Sequence, residues 1–165
     1  MYSENVKQRF MHPTHRGEVK NADSKARVQS EICGDEMEVS FKVKRDKISE
    51  CKFQTFGCAS AIASSSALTE IIKGLSLEDA KKITNDDIAN YLGGLPKEKM
   101  HCSVMGRDAL EKAIVNYLGE SQKKVEGQIV CECFGVTNVE IQRAVRENDL
   151  TTLEAVTAYV KAGGG

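Results

Sequence analysis

A chain of 165 residues with a formal net charge of -1 has room for one ordinary domain and a small appendage, and lacks the basic surplus that draws proteins to nucleic acid or anionic membranes. Hydrophobic residues at 41% and charged residues at 28% fit a water-soluble fold, and no apolar run approaches the roughly 20 residues that span a bilayer. The polar start Met1-Tyr2-Ser3-Glu4-Asn5 has no apolar signal-peptide region, so the expected address is the cytoplasm, with no nucleic-acid or membrane partner.

Ser3 is placed to cap a short helix whose apolar stripe is Tyr2, Val6 and Phe10, ended by His12-Pro13. Ala26–Ser30 reads as a strand. From Glu36 to Lys44 the alternation is complete, with Met37, Val39, Phe41 and Val43 on one face. Arg45-Asp46-Lys47 reads as a turn, and Ile48–Phe56 as the returning strand of a hairpin. A helix opens at Gly57-Cys58 and runs to about Lys73. It is rich in alanine and serine, so other backbone can approach it closely. Short helices are expected near Ser76 and Thr84, each with an acid three residues on. Gly93-Gly94-Leu95-Pro96 ends the second, and a loop through His101-Cys102 leads into a helix from about Val104 to Leu118 with Leu110, Ala113, Ile114 and Tyr117 buried.

The polar stretch 121–128 reads as a linker between a domain of residues 1–120 and a tail of residues 129–165. Two capping boxes, Thr137…Glu140 and Thr151…Glu154, predict two short helices in that tail, with stripes Ile141, Ala144, Val145 and Leu153, Val156, Val160. The fold class is therefore α+β: a small antiparallel sheet packed with helices, followed by a helical fragment. At fewer than about 40 residues the fragment lies near the lower limit for folding without a metal, disulfide or partner.

Six cysteines in a chain expected to meet cellular reductants point to metal or thiol chemistry rather than to a disulfide framework. Cys33 and Asp35 flank Gly34, which permits a tight turn that aims both side chains at one point. Cys58 sits where a strand meets a helix, where unpaired N–H groups and the helix dipole favour a thiolate. His101-Cys102 enters another helix. Three thiolates with a carboxylate and an imidazole suit zinc or iron–sulfur chemistry. The plain alternative is that each cysteine is a small buried hydrophobe. Cys51 alternates with Phe53 on its strand and reads as core. Cys131-Glu132-Cys133 offers two thiols where a [2Fe–2S] cluster needs four ligands.

Ile32-Cys33-Gly34-Asp35-Glu36-Met37, Phe56-Gly57-Cys58 with Ala59-Ser60-Ala61-Ile62-Ala63-Ser64-Ser65-Ser66, and Lys99-Met100-His101-Cys102-Ser103, in that order over about residues 1–120, resemble the IscU/NifU iron–sulfur scaffold family. The tail, through Ile129-Val130-Cys131-Glu132-Cys133-Phe134 and Tyr159-Val160-Lys161-Ala162-Gly163-Gly164-Gly165, resembles the bacterioferritin-associated-ferredoxin-like [2Fe–2S] domain. That family's pattern continues with a C-x-x-C, so the tail reads as a partial domain lacking its second cysteine pair.

The resemblance implies a scaffold, not an enzyme, that accepts persulfide sulfur from a cysteine desulfurase of the IscS/NifS type, binds Fe²⁺ and builds a labile [2Fe–2S] or [4Fe–4S] cluster. The cluster then passes to recipient apoproteins, with electrons from a donor such as a ferredoxin. It further implies Cys33, Cys58 and Cys102 as cluster ligands, Asp35 beside them, His101 as a further ligand and Cys102 as the sulfur acceptor. Lys99 is the basic residue near the site, and Tyr2 a contact for self-association into a homo-oligomer. Zn²⁺ is expected to occupy the same donors when iron is absent. Two other readings stay open: a structural zinc module serving as an interaction platform, and an electron carrier working through Cys131 and Cys133. The family's N-P-R-N-x-G stands here as His12-Pro13-Thr14-His15-Arg16-Gly17, where the two histidines read as solvent-exposed. Its L-P-P-V-K stands as Leu95-Pro96-Lys97-Glu98-Lys99, which does not carry the family's chaperone-assisted release over to this chain.

Overall fold

The computed structural model describes residues 2–30, 34–119, 127–131 and 136–163. Helix α1 (Glu4–Met11) begins where the Ser3 hydroxyl accepts the Val6 N–H at 3.2 Å, and it stops at His12. Val6 is buried and Tyr2 packs on the core, but Phe10 remains 43% exposed, against expectation. The reason is Arg9. Its guanidinium turns inward to meet Glu70 at 2.8 Å, so the inner face of α1 carries Val6 and Arg9 instead of Phe10.

Strands β1 (Ser24–Gln29), β2 (Glu36–Lys44) and β3 (Lys47–Phe56) form an antiparallel sheet in that order. β1 begins two residues before the expected Ala26, and its first residue, Ser24, donates to the Ala113 carbonyl at 2.7 Å. Arg45 and Asp46 both have positive φ, at 52° and 59°, giving the two-residue turn whose twist matches a hairpin. Met37, Val39, Phe41, Cys51 and Phe53 enter the core, as the alternation predicts. Ser40 breaks the pattern: it is buried because its hydroxyl accepts the Val19 N–H at 2.9 Å.

Helices α2 (Ala59–Ile72) and α5 (His101–Leu118) pack together and against the sheet. Close approach is required at Gly106, where an added Cβ would lie 3.3 Å from Leu68 Cδ2. Helices α3 (Leu77–Lys81) and α4 (Asn85–Tyr91) start at Ser76 and Thr84, each accepting the N–H three residues on. Tyr117, expected to be buried, is 40% exposed, with its ring 5.9 Å from that of Phe41.

α5 starts at His101, three residues earlier than expected. Pro96 opens a 3₁₀ turn (Lys97–Lys99) that feeds the helix directly, with the Met100 N–H bonded to the Lys97 carbonyl and the Ser103 N–H to the Met100 carbonyl. His101 and Cys102 therefore stand on the first turn of a helix, where sequence had placed a loop.

The tail contains an unexpected hairpin, β4 (Ile129–Cys131) with β5 (Val136–Thr137), ahead of α6 (Asn138–Glu147) and α7 (Leu153–Val160). Its β-branched pair Ile129-Val130 accounts for the strand. The Thr137–Glu140 capping box forms in full. The Thr151–Glu154 box does not: Thr152 caps α7 by accepting the Ala155 N–H at 3.2 Å. That one-residue shift turns Leu153 outward, 78% exposed, and makes Tyr159 the buried residue of the helix. Among the described residues, no helix is long and apolar enough to cross a membrane.

Candidate functional site

The site lies where two helices begin side by side. Cys58 is the N-cap of α2, in extended conformation at φ -72° and ψ 170°, because β3 ends at Phe56 and the chain must turn before the helix can start. Cys102 is the second residue of α5. The packing of α2 on α5 brings the Cys58 and Cys102 sulfurs to 3.6 Å, well beyond the about 2.05 Å of a disulfide. The His101 Nε2 lies 3.7 Å from the Cys102 sulfur.

Asp35 enters from the β1–β2 connection. The Ser30 N–H bonds to the Asp35 carbonyl at 2.8 Å and the Gly34 N–H to the Ser30 carbonyl at 2.9 Å, with Gly34 at φ 73°. This directs the Asp35 carboxylate to the backbone of the next loop, where Oδ2 accepts the Cys58 N–H at 3.2 Å. Asp35 thus caps the amide of the cysteine it was expected to stand beside. Gly57 makes room for it, since a Cβ there would fall 2.7 Å from Asp35 Oδ2. A side chain at position 57 would have to push the Asp35 carboxylate away from the Cys58 amide. No sequence pattern announced this contact.

The electrostatics separate the cysteines. Hydrogen bonding with Cys102 lowers the Cys58 pKa to about 6, assisted by the Ala61 and Ser60 backbone N–H groups and opposed by burial and by Asp35. Burial pushes the Cys51 thiol up to about 12, and Cys51 is 1% exposed, as the core reading requires. Burial, then the charges of Lys161 and Lys99, push the His101 pKa below the ordinary histidine value. Cys58 is suited to act as a thiolate near neutral pH, and Cys51 is not.

The two thiols, His101 and Asp35 are thus brought together in pairs. Among the described residues, no three His, Cys, Asp or Glu side chains converge as the ligands of one metal ion. Cys33, the third expected sulfur, lies outside the described residues, as does Cys133. Lys99 lies on the 3₁₀ turn before His101, half-buried. The Tyr2 hydroxyl accepts from Ser60 Oγ at 3.1 Å, which ties the chain's start to the first turns of α2. His12 is exposed, as expected. His15 is not: it is half-buried, with Nδ1 3.3 Å from Thr69 Oγ1.

In the tail, Cys131 is half-buried against an apolar groove that includes Val130, Ile141, Leu150 and Val156. It is the one thiol among the tail's described residues. A [2Fe–2S] cluster takes four ligands, so the described residues do not by themselves fit one.

A helix-covered three-stranded sheet carrying paired thiols at adjoining helix starts defines a class of small α+β proteins with a sulfur-based site. Sequence comparison makes the assignment specific. Residues 1–126 match the NifU-like N terminal domain and residues 129–165 the BFD-like [2Fe-2S] binding domain. The chain belongs to the NifU-like N-terminal domain family. It is 51% identical over 176 residues to the nitrogen fixation protein NifU of Trichormus azollae, covering 99% of this chain and 59% of the relative. It is 50% identical over 123 residues to the iron-sulfur cluster assembly scaffold protein IscU 1 of Archaeoglobus fulgidus, covering 74% of this chain and 80% of the relative. The chain spans little more than half the length of the NifU relatives it matches. The crystal structure of a putative scaffold protein from Fervidobacterium islandicum shares the fold at a TM-score of 0.58 and 24% identity, over 68% of this chain and 96% of that one.

Proposed function

We propose that the chain is a scaffold on which an iron–sulfur cluster is assembled and from which it is handed on. The observation that carries this reading is the Cys58–Cys102 sulfur pair at 3.6 Å beside His101, on a domain that has an apolar core of its own. A structural zinc site is needed where a domain lacks a core. Here Met37, Phe41, Phe53, Leu68 and Ile114 already supply one. The relatives carrying NifU and IscU names point the same way.

Cys102 receives sulfur. Its thiolate attacks the terminal sulfur of a persulfide on a cysteine desulfurase, a new S–S bond forms on Cys102, and the desulfurase cysteine leaves as a thiolate. Release of that sulfur as sulfide needs two electrons and a proton, supplied by a ferredoxin-like donor or a low-molecular-weight thiol, and it restores the Cys102 thiolate. Ferrous iron, the other substrate, is taken by Cys58 and Cys102, with Cys33, assigned from sequence alone, as third thiolate and His101 as a nitrogen donor. Asp35, a harder donor bonded to the Cys58 amide, exchanges readily and keeps the cargo labile. Zinc competes for the same donors. The product is a [2Fe–2S] cluster or, by reductive coupling of two with two further electrons from the same donor, a [4Fe–4S] cluster for recipient apoproteins. These thiols require a reducing compartment, for which we assign the cytoplasm. The chain turns over no small-molecule substrate of its own.

The test is anaerobic reconstitution with ferrous iron, cysteine, a reductant and a cysteine desulfurase. The parent develops a visible charge-transfer band that passes to an added apo-ferredoxin, and Cys102→Ser does not. A parent that forms no band and keeps zinc against chelation would overturn the scaffold reading in favour of a structural module.

A further inference from the structure

The tail rests on the larger domain through two sets of polar contacts. From α6, Glu147 Oε2 lies 2.6 Å from Arg107 Nη1 on α5, and Arg143 pairs with Glu111. From α7, the Tyr159 hydroxyl donates to Asp86 Oδ1 at 2.5 Å. Just beyond it, Lys161 Nζ donates to the Glu98 carbonyl at 3.4 Å. Between these contacts lies a cleft of about 720 Å³ lined by His101 on one side and by Tyr159 and Val160 on the other. Two buried polar atoms on its lining, Asn85 Oδ1 and Asn148 Oδ1, have no hydrogen-bond partner among the described residues. His101 therefore borders both places: it lines the cleft, and its Nε2 is 3.7 Å from the Cys102 sulfur.

Lys161 takes an unusual backbone conformation to reach this position. It closes α7 at φ 61°, with its N–H bonded to the Thr157 carbonyl at 2.8 Å. Glycine adopts that conformation without cost and is the common residue there, whereas lysine is not. A long cationic side chain at that point, directed to the carbonyl three residues before His101, calls for a reason beyond ending a helix.

We propose that the tail docks as a cover beside the assembly site and that Lys161 is a positioning residue for its cargo. The inference rests on the reading of Cys58 and Cys102 as the place of assembly. Each stage on that site is anionic: a thiolate, a persulfide, then iron and sulfide held by several thiolates. Lys161, whose Nζ donates to the Glu98 carbonyl, sets a positive charge near enough to His101 to oppose its protonation, beside the segment that leads into Cys102. Coupling of this kind is reciprocal. If the docked tail holds the cargo more firmly, the cargo holds the tail more firmly by the same factor, and a recipient that displaces the tail loosens the cluster as it uncovers it.

The experiment uses the full chain, loaded anaerobically with ferrous iron and sulfide and then challenged with a ferrous-iron chelator. Parent and Lys161→Arg lose cargo slowly, Lys161→Glu about tenfold faster and Tyr159→Phe about threefold faster, while thermal unfolding of the metal-free proteins stays together. Rescue by arginine separates a role for charge from one for packing. Hydrogen exchange along α7 slows when the parent is loaded. Equal loss rates in parent and Lys161→Glu, or α7 exchange indifferent to cargo, would overturn this inference alone. A parent that takes up no cargo overturns the assembly reading and the inference with it.

Discussion

The two regions of this chain carry cysteines under opposite conditions. The larger domain buries Phe41, Phe53, Leu68, Ile72, Ile88 and Ile114 in a cluster drawn, among the described residues, from those before 119, and Cys58 and Cys102 stand on helix starts fixed by that packing. Among its described residues, the tail buries Val136, Ala144 and Tyr159 and leaves Ile129, Val130 and Leu153 in solvent. Its attachment includes the Arg107–Glu147 ion pair and the Tyr159–Asp86 hydrogen bond. The difference teaches that a site can be preorganised only where the backbone under it is independently held. In the larger domain burial of apolar surface does that work, at about 25 cal/mol for each Å² removed from water. The tail has too little such surface and leans on its neighbour.

Separating the regions breaks the comparison most sharply. A fragment ending at Gly119 is expected to unfold cooperatively within a few degrees of the full chain, because no described residue of the tail enters the core cluster. A fragment of residues 127–165, without metal, is expected to show no cooperative thermal transition by circular dichroism. A sharp transition in the second fragment would show that the tail stands alone and that its polar contacts are incidental to its folding.

Much of this was legible in the sequence, and the failures share a cause. Period-two alternation placed β2 and β3, because a half-buried strand has to alternate. Local capping chemistry placed α3, α4 and α6. The motifs around Cys58 and Cys102 marked two side chains that meet at 3.6 Å although 44 residues apart. What sequence missed was set by tertiary contact. Phe10 lost its place to an arginine answering Glu70, and His15 turned in to Thr69. Gly57 is required by a carboxylate 22 positions earlier, and no local pattern records that. Thr151 has the capping-box acid and Thr152 does not, yet Thr152 is the cap, and that choice goes with which face of α7 is buried.

Glu70 sharpens the comparison at the next level of effect, since it is a half-buried charge in the region that has a core. Arg9 at 2.8 Å and Tyr91 at 2.9 Å donate to its carboxylate, and the Thr14 hydroxyl does so as well. Burial raises the Glu70 pKa, but these partners outweigh it and hold the net value below the ordinary one. A carboxylate whose folded pKa is depressed contributes stability that is present above the unfolded value of about 4.3 and disappears as pH falls through the folded value. Glu70→Gln is therefore expected to cost about 1–2 kcal/mol at pH 7, less than a fully buried pair because both side chains keep 17% of their exposure. Below pH 4 the gap between variant and parent narrows. Urea unfolding of both proteins at pH 7, 5 and 3.5 measures this, and a gap independent of pH would show that Glu70 acts by packing.

The smallest effect is expected at Leu153, and it separates exposure from hydrophobicity. The leucine is 78% exposed at the first position of α7, so Leu153→Ser removes little apolar surface that folding had taken from water. Serine is also a slightly poorer helix former than leucine, which adds at most a few tenths of a kcal/mol. The full chain is expected to keep its unfolding free energy within about 0.5 kcal/mol of the parent. Tyr159→Phe, also on α7, removes the bond to Asp86 and accelerates cargo loss as set out above, while Leu153→Ser leaves cargo loss at the parental rate. If the two substitutions instead changed cargo loss alike, the tail would be held by the general integrity of α7. The specific polar contact between Tyr159 and the larger domain would then have no separate role.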